Sequence, residues 1–318
     1  MGLGHIAYAR ARVGSRFMEY SAFEKFFSAI SEKNLIHHKF LLNAVKEMPG
    51  ELKAEGDAYI RYCLEQGETM DSLADAYLGL VEITNGEQMY FAREGHYRYS
   101  TVAEVVDKVY QNPEYMKLYM RGLALTAFLW PQHQRIWSFF NEHLPRGCSG
   151  RDYLEIGPGH GMFFLQALKY GGFDSCVGVD LSSTSIAVTR SLIQSGHFGS
   201  FENYELVCAD FLAHQFERKY HYVVMGEVLE HVEHPELFIE KIAASVSGDG
   251  SVFLTTCINA AALDHIFNFE TVEGLEKFFL DGGLAIRSRL LVPYTGKTIE
   301  QCIRKRYPIN VAYVLSPQ

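Results

Sequence analysis

The 318-residue chain carries 29 basic and 38 acidic residues, a formal net charge of −9, and is 48% hydrophobic and 14% aromatic. That apolar content excludes a disordered chain and suffices for one large or two ordinary packed domains. No basic tract is longer than Arg304-Lys305-Arg306, so a nucleic-acid partner, which needs a basic face, is disfavoured and a small-molecule acceptor is favoured.

Six cysteines, Cys63, Cys148, Cys176, Cys208, Cys257 and Cys302, are scattered without a C-x-x-C pair, which predicts reduced thiols in a cytoplasmic protein without disulfides. Residues 1–12 lack the apolar core of a secretory leader. No uncharged run reaches the roughly 18 residues of a membrane span, so no membrane partner is expected.

Residues 16–145 show helical periodicity and almost no strand alternation. Phe17, Tyr20, Phe23, Phe26, Phe27 and Ile30 recur at helical spacing, and residues 35–45 offer an apolar face of Phe40, Leu41 and Ala44. Further helices are predicted over 52–66 and 70–81. Residues 87–100 mix aromatics with Arg and His, a composition that lines ligand cavities and equally plugs domain junctions. The capping-box pattern at Ser100-Thr101-Val102-Ala103-Glu104 predicts a helix to Tyr110. Residues 115–130 are apolar nearly all round, which calls for burial by another subunit or by the following domain; homodimerisation through the helical domain is one expectation. Pro131 breaks that helix, and another at 133–144 leads to a linker at 146–150.

Beyond the linker, strands predicted at 152–157, 175–180, 203–208, 220–226 and 250–256 alternate with helices near 161–171, 184–195, 235–246 and 270–281. Two last strands are expected at 284–293 and 309–316. Such alternation signals a parallel sheet covered on both faces. The first strand runs into Glu155-Ile156-Gly157-Pro158-Gly159-His160-Gly161, where glycines at alternate positions permit φ > 0 and a close backbone approach to a ligand. A dinucleotide site would space its third glycine three residues after the second; here it comes two after. The second strand ends at Asp180, the third at Asp210-Phe211, and the fourth in Gly226-Glu227-Val228-Leu229-Glu230-His231-Val232-Glu233-His234. Either aspartate could also cap the helix after it, as could Ser182 or Ser183.

Together these four strand ends resemble the class I S-adenosylmethionine (SAM)-dependent methyltransferases of small-molecule type, and the segment after strand four is similar to ubiquinone-pathway O-methyltransferases. The resemblance covers residues 148–318. It implies an α/β fold, a Rossmann-like seven-stranded sheet of order 3-2-1-4-5-7-6 with strand seven antiparallel, joined here to an N-terminal all-helical domain, 1–147, acting as lid, specificity and dimerisation element. SAM is the implied cofactor, held by Glu155, Gly157, Gly159, Gly161, Asp180, Asp210, Phe211, Gly226 and Glu227. Asp180 would take the ribose hydroxyls, Asp210 the adenine amino group, and Phe211 with neighbouring apolar side chains the ring.

The implied activity is methyl transfer to an oxygen, nitrogen or carbon of a small metabolite or natural-product precursor. A SAM-binding protein of the same fold without methyl transfer is the alternative. Transfer needs a base near the acceptor. His231, with Glu230, is the first candidate and His265, beside Asp264, the second. His160 is expected to face the cofactor, and His37-His38 to lie at a surface or interface. No metal ligand is assigned, although Glu230, His231, His234 and His265 hold the donor types for one.

Overall fold

The computed structural model describes residues 21–110 and 113–318; Phe17 and Tyr20 lie outside them. The described chain begins with helices α1 (Ser21–Lys33), α2 (Leu35–Glu47), α3 (Gly50–Glu65), α4 (Met70–Glu94), α5 (Val102–Val105), α6 (Pro113–Leu129) and α7 (Pro131–His143). No helix among the described residues is long and apolar enough to cross a membrane.

Local chemistry sets these boundaries. Thr69 and Ser72 exchange side-chain-to-backbone hydrogen bonds at the start of α4, and Thr101 and Glu104 do so at α5. The predicted end of α4 at residue 81 falls short. Burial of Leu80, Glu87 and Phe91 carries the helix on through Gly86 to Gly95, at φ 82°. On α2, Leu41 and Ala44 are buried while Phe40 is 56% exposed, because neighbours on a helix point about 100° apart and cannot share one face.

Helix α6 buries Ala124, Leu125, Phe128 and Leu129 in a cluster with Phe23, Phe26 and Tyr59 and with Met162, Leu165, Leu192 and Phe198 from beyond the linker. The chain's own two halves therefore cover this apolar face. A Cβ on Gly122 would lie 2.6 Å from the Ala76 carbonyl, so glycine is what lets α4 and α6 cross closely.

The second half comprises β1 (Asp152–Ile156), α8 (Met162–Gln166), β2 (Ser175–Asp180), α9 (Ser183–Gln194), β3 (Tyr204–Cys208), β4 (Tyr220–Gly226), α10 (Pro235–Ser245), β5 (Val246–Ile258), α11 (Val272–Asp281), β6 (Leu284–Pro293), α12 (Ile299–Lys305) and β7 (Ile309–Pro317). The sheet order is β3-β2-β1-β4-β5-β7-β6, with β7 antiparallel to both neighbours, as the resemblance implies. Leu154 sits in register between Val177 and Val223. Period-two alternation sends Leu154, Ile156, Val223 and Met225 to one face, under α10 and α11. Tyr153, Tyr222, Val224 and Phe253 go to the other, where Phe140 of α7 packs edge-on against Phe253 at 4.9 Å.

Strand β5 is longer than predicted. Helix α12 was not anticipated, although the Thr298/Gln301 capping box that starts it is visible in the sequence. The six cysteines are free, and only Cys208 is exposed.

Candidate active site

The C-terminal ends of β1, β2, β4 and β5 open on one edge of the sheet, where open α/β sheets bind ligands. Gly157, Gly159 and Gly161 all take positive φ, at 68°, 54° and 81°. A Cβ on Gly157 would meet Val228 Cγ2 at 2.7 Å and one on Gly161 would meet Thr189 Cγ2 at 3.0 Å. Only glycine fits this loop, and the loop leaves bare backbone along the cleft. Asp180 Oδ2 accepts the Gly159 N–H at 3.3 Å and Oδ1 accepts the Ser182 N–H at 2.8 Å, so this carboxylate braces the loop and the start of α9 together. Burial raises its pKa. Ser182 is the residue that caps α9.

Glu155 is 2% exposed and accepts the Tyr153 hydroxyl at 2.5 Å; burial, with Asp180 adding, pushes its carboxyl up to about 8. Asp210 is exposed and accepts the Leu212 N–H at 2.8 Å. Phe211 is turned into the core against Phe216 and Phe238, at 5.9 and 5.6 Å. Gly226 ends β4 with the Phe163 ring 2.8 Å from where its Cβ would stand. Glu227 follows at φ 51°, its N–H on Thr255 O at 3.0 Å. His160 Nδ1 accepts the Met162 N–H at 3.3 Å, and burial pushes both it and His133 of α7 down to about 4.

After β4 and β5, the structure gathers His231, Asp264 and His265. His231 Nδ1 lies 3.0 Å from the Asp264 carbonyl and 3.6 Å from its Oδ2. His265 stands edge-on to it, ring centroids 4.8 Å apart. Asp264 thus partners His231, while His265 Nδ1 takes the Ala260 carbonyl at 2.9 Å. With both Nδ1 atoms donating to carbonyls, Nε2 is the ring nitrogen that each histidine leaves for a ligand. Burial would raise Asp264, but His231, His265 and the Tyr119 hydroxyl at 2.9 Å outweigh it and leave it below its ordinary range. Burial and His231 push His265 down to about 4.

Glu230 is fully buried; Oε2 accepts Thr256 Oγ1 at 2.7 Å, its backbone carbonyl accepts Ile266 N and Phe267 N, and Oε1 has no hydrogen-bond partner. Glu227 Oε1 also lacks one. Burial raises both carboxyls, and the neighbouring Glu230 carboxylate raises Glu227 further. Glu230, Cys257 and His265 bring one ligand atom each within 4.8 Å of one another, as do His231, Asp264 and His265, so either set could hold a divalent cation. His234 stands apart, exposed, with Nδ1 3.2 Å from Glu236.

Sequence reasoning missed Tyr119, Thr256 and Cys257 here. Their only signal was position: one on an apolar helix, two inside a strand. His37 meets Tyr77 at 2.7 Å rather than solvent alone.

The family described as methyltransferase domain matches residues 129–306, over half of the chain. The chain belongs to that family. The match begins at the last residue of α6, consistent with α7 packing on the methyltransferase sheet. Among curated relatives of the methyltransferase, the ubiquinone biosynthesis O-methyltransferase of Chelativorans sp. strain BNC1 is 36% identical over 107 residues, 34% of this chain and 40% of that protein. The same-named protein of Brucella ovis is 30% identical over 125 residues, 39% and 48%. The aligned part thus spans less than half of these relatives. The solved mitomycin 7-O-methyltransferase aligns over 87% of this chain and 75% of its own with a TM-score of 0.51 at 11% identity, a likeness of fold alone.

Proposed function

We propose that the chain methylates a hydroxyl of a small acceptor from SAM. The observation that carries this is the pairing, on one sheet edge, of a glycine cradle that a Cβ would fill with a partly buried His231–Asp264–His265 cluster. The relatives' O-methyltransferase names favour oxygen over nitrogen or carbon.

When bound, SAM supplies a methyl group activated by its sulfonium, open to in-line displacement. Gly157 to Gly161 and Asp180 would hold its nucleoside and methionine ends, with Asp210 at the adenine and Glu155 and Glu227 near the cationic end. His231 Nε2 takes the acceptor's hydroxyl proton as the oxygen forms its bond to carbon, and Asp264 keeps the ring in the Nδ1–H tautomer and steadies the imidazolium. Tyr97 and Tyr119 bring the helical half over this spot, so that half serves as lid and specificity element and excludes water.

A second reading is favoured by the unpartnered Glu230 and Glu227 oxygens beside the two donor triads. In it, a divalent cation on these side chains lowers the pKa of the acceptor hydroxyl.

Incubation with SAM and a panel of phenols, catechols and aliphatic alcohols tests the main reading: S-adenosylhomocysteine should form with at least one hydroxyl acceptor. Cofactor binding without product across hydroxyl, amine and carbon acceptors would instead support a non-catalytic binding protein. Loss of activity on dialysis against EDTA, restored by zinc or magnesium, would select the cation reading.

A further inference from the structure

Loop 259–268 carries Asp264 and His265, and much of what fixes it comes from the other half of the chain. Gln88, on α4, reaches the loop with both ends of its amide: Nε2 donates to Asn259 O at 3.3 Å and Oε1 accepts Ala261 N–H at 3.0 Å. Tyr97 donates its hydroxyl to Ala260 O at 2.7 Å and lies 2.9 Å from Asn268 Oδ1. Its ring meets His265 edge-on at 5.5 Å and Phe91 at 5.0 Å. Phe91, Tyr97 and Ala261 form a small apolar cluster of their own. Arg306 stacks over Phe91 at 4.6 Å and donates to Gly95 O at 3.1 Å.

The Ala260 carbonyl is the shared element. It accepts the Tyr97 hydroxyl and also His265 Nδ1 at 2.9 Å, so both of its lone pairs are engaged. The loop leaves β5 through Asn259, 1% exposed and at φ 54°, a conformation that surrounding contacts must hold. We propose that Gln88 and Tyr97 are positioning residues of the methyltransferase: they set the loop so that His265 keeps one tautomer and one orientation beside His231, and thereby make the acceptor site conditional on docking of the helical half. This rests on the methyl-transfer reading of that site. Besides Tyr97, the titratable groups around His265 are His231, Asp264, Glu230 and Cys257.

Gln88→Met keeps length and removes the amide; Tyr97→Phe keeps the ring and removes the hydroxyl. Three measurements on the full chain with S-adenosylhomocysteine bound decide the matter. Amide exchange at Ala261 should rise about tenfold in Gln88→Met, the loss of one hydrogen bond. The ¹⁵N shifts of His265 should change from a single Nδ1–H tautomer to a mixture in both variants. With catechol as acceptor, or whichever acceptor the panel identifies, kcat should fall about tenfold or more while KM and the S-adenosylhomocysteine Kd stay within about twofold. Wild-type exchange, tautomer and kcat in both variants would overturn the proposal. Failure of the wild type to bind S-adenosylhomocysteine would instead sink the methyl-transfer reading, and the exchange and tautomer measurements, repeated on the free protein, would still decide whether Gln88 and Tyr97 position His265.

Discussion

Glu155→Gln should remove the share of the proton linkage of SAM binding that Glu155 contributes. In the free protein the Glu155 carboxyl sits at about 8 because burial disfavours its charge, so at pH 7 about nine in ten molecules carry it protonated. A cationic ligand in the cleft restores the carboxylate. Glu155 alone then releases about 0.9 proton on binding at pH 7 and raises affinity about fiftyfold between pH 6 and pH 8. Titration calorimetry at pH 7 in phosphate and in Tris, whose ionisation enthalpies differ, reads the released proton from the difference in apparent heat. The ligand's own amine titrates identically with both proteins and cancels between wild type and variant. A wild type that shows the same proton count and pH profile as Glu155→Gln would refute the placement of Glu155 at the cationic end. The sign carries over to stability. A carboxyl raised above its unfolded value binds an extra proton in the fold, so the unliganded wild type loses stability as pH rises from 4.5 to 8. Glu155→Gln should flatten that part of its melting profile.

Asp180→Ala should weaken SAM binding about a hundredfold, because it removes a charged acceptor and unbraces Gly159, with the circular dichroism of the fold unchanged. His231→Asn should lower kcat by about two to four orders of magnitude and leave the SAM Kd alone, as steady-state kinetics and calorimetry would show. His133, His160 and His265 each sit at about 4, below the unfolded 6.5, so the fold binds fewer protons than the unfolded chain between those values. Their contribution is present above pH 6.5 and lost as pH falls to 4; in urea titrations, His160→Gln should reduce the slope of stability against pH in that window.

The sheet and the glycine loop at its edge were legible because each device there is local. A glycine needing φ > 0, an acid closing a strand and a period-two run all declare themselves within a few residues, as Gly157, Asp180 and 175–180 do. His231 and His265 could be named from their places after strands four and five, but not their partners. Asp264 precedes His265 in the chain and invited pairing with it. The fold hands Asp264 to His231, 33 residues away, and gives His265 to the Ala260 carbonyl. Residues 87–100 illustrate the same limit: composition left cavity and junction open, and only the 171-residue leap from Gln88 to Asn259 makes them a junction beside the site. Phe211 shows the converse, an aromatic in the expected place whose ring the core claims.

The two halves are tied unequally at their two ends, which limits how the helical half can move. At one end, Glu55 of α3, 4% exposed, accepts Gln166 Nε2 and Lys169 Nζ, both at 2.6 Å. Tyr62 donates to Ser191 at 2.8 Å nearby, and Met162, Leu165, Leu192 and Phe198 continue the helical core across the boundary. At the other end, Gln88 and Tyr97 hold loop 259–268 mainly through hydrogen bonds that water can replace. Motion should therefore pivot at Glu55 and open at Gln88. Glu55→Ala, which leaves buried Gln166 and half-buried Lys169 without their partner, should cost about 2 kcal/mol and lower the melting temperature of a single, shared transition. Gln88→Met should cost about 1.4 kcal/mol, the tenfold change in exchange, and act locally. Two separate calorimetric transitions in the wild type, or a Glu55→Ala variant as stable as the wild type, would show that the halves are not pinned there, and the pivot would have to be placed elsewhere.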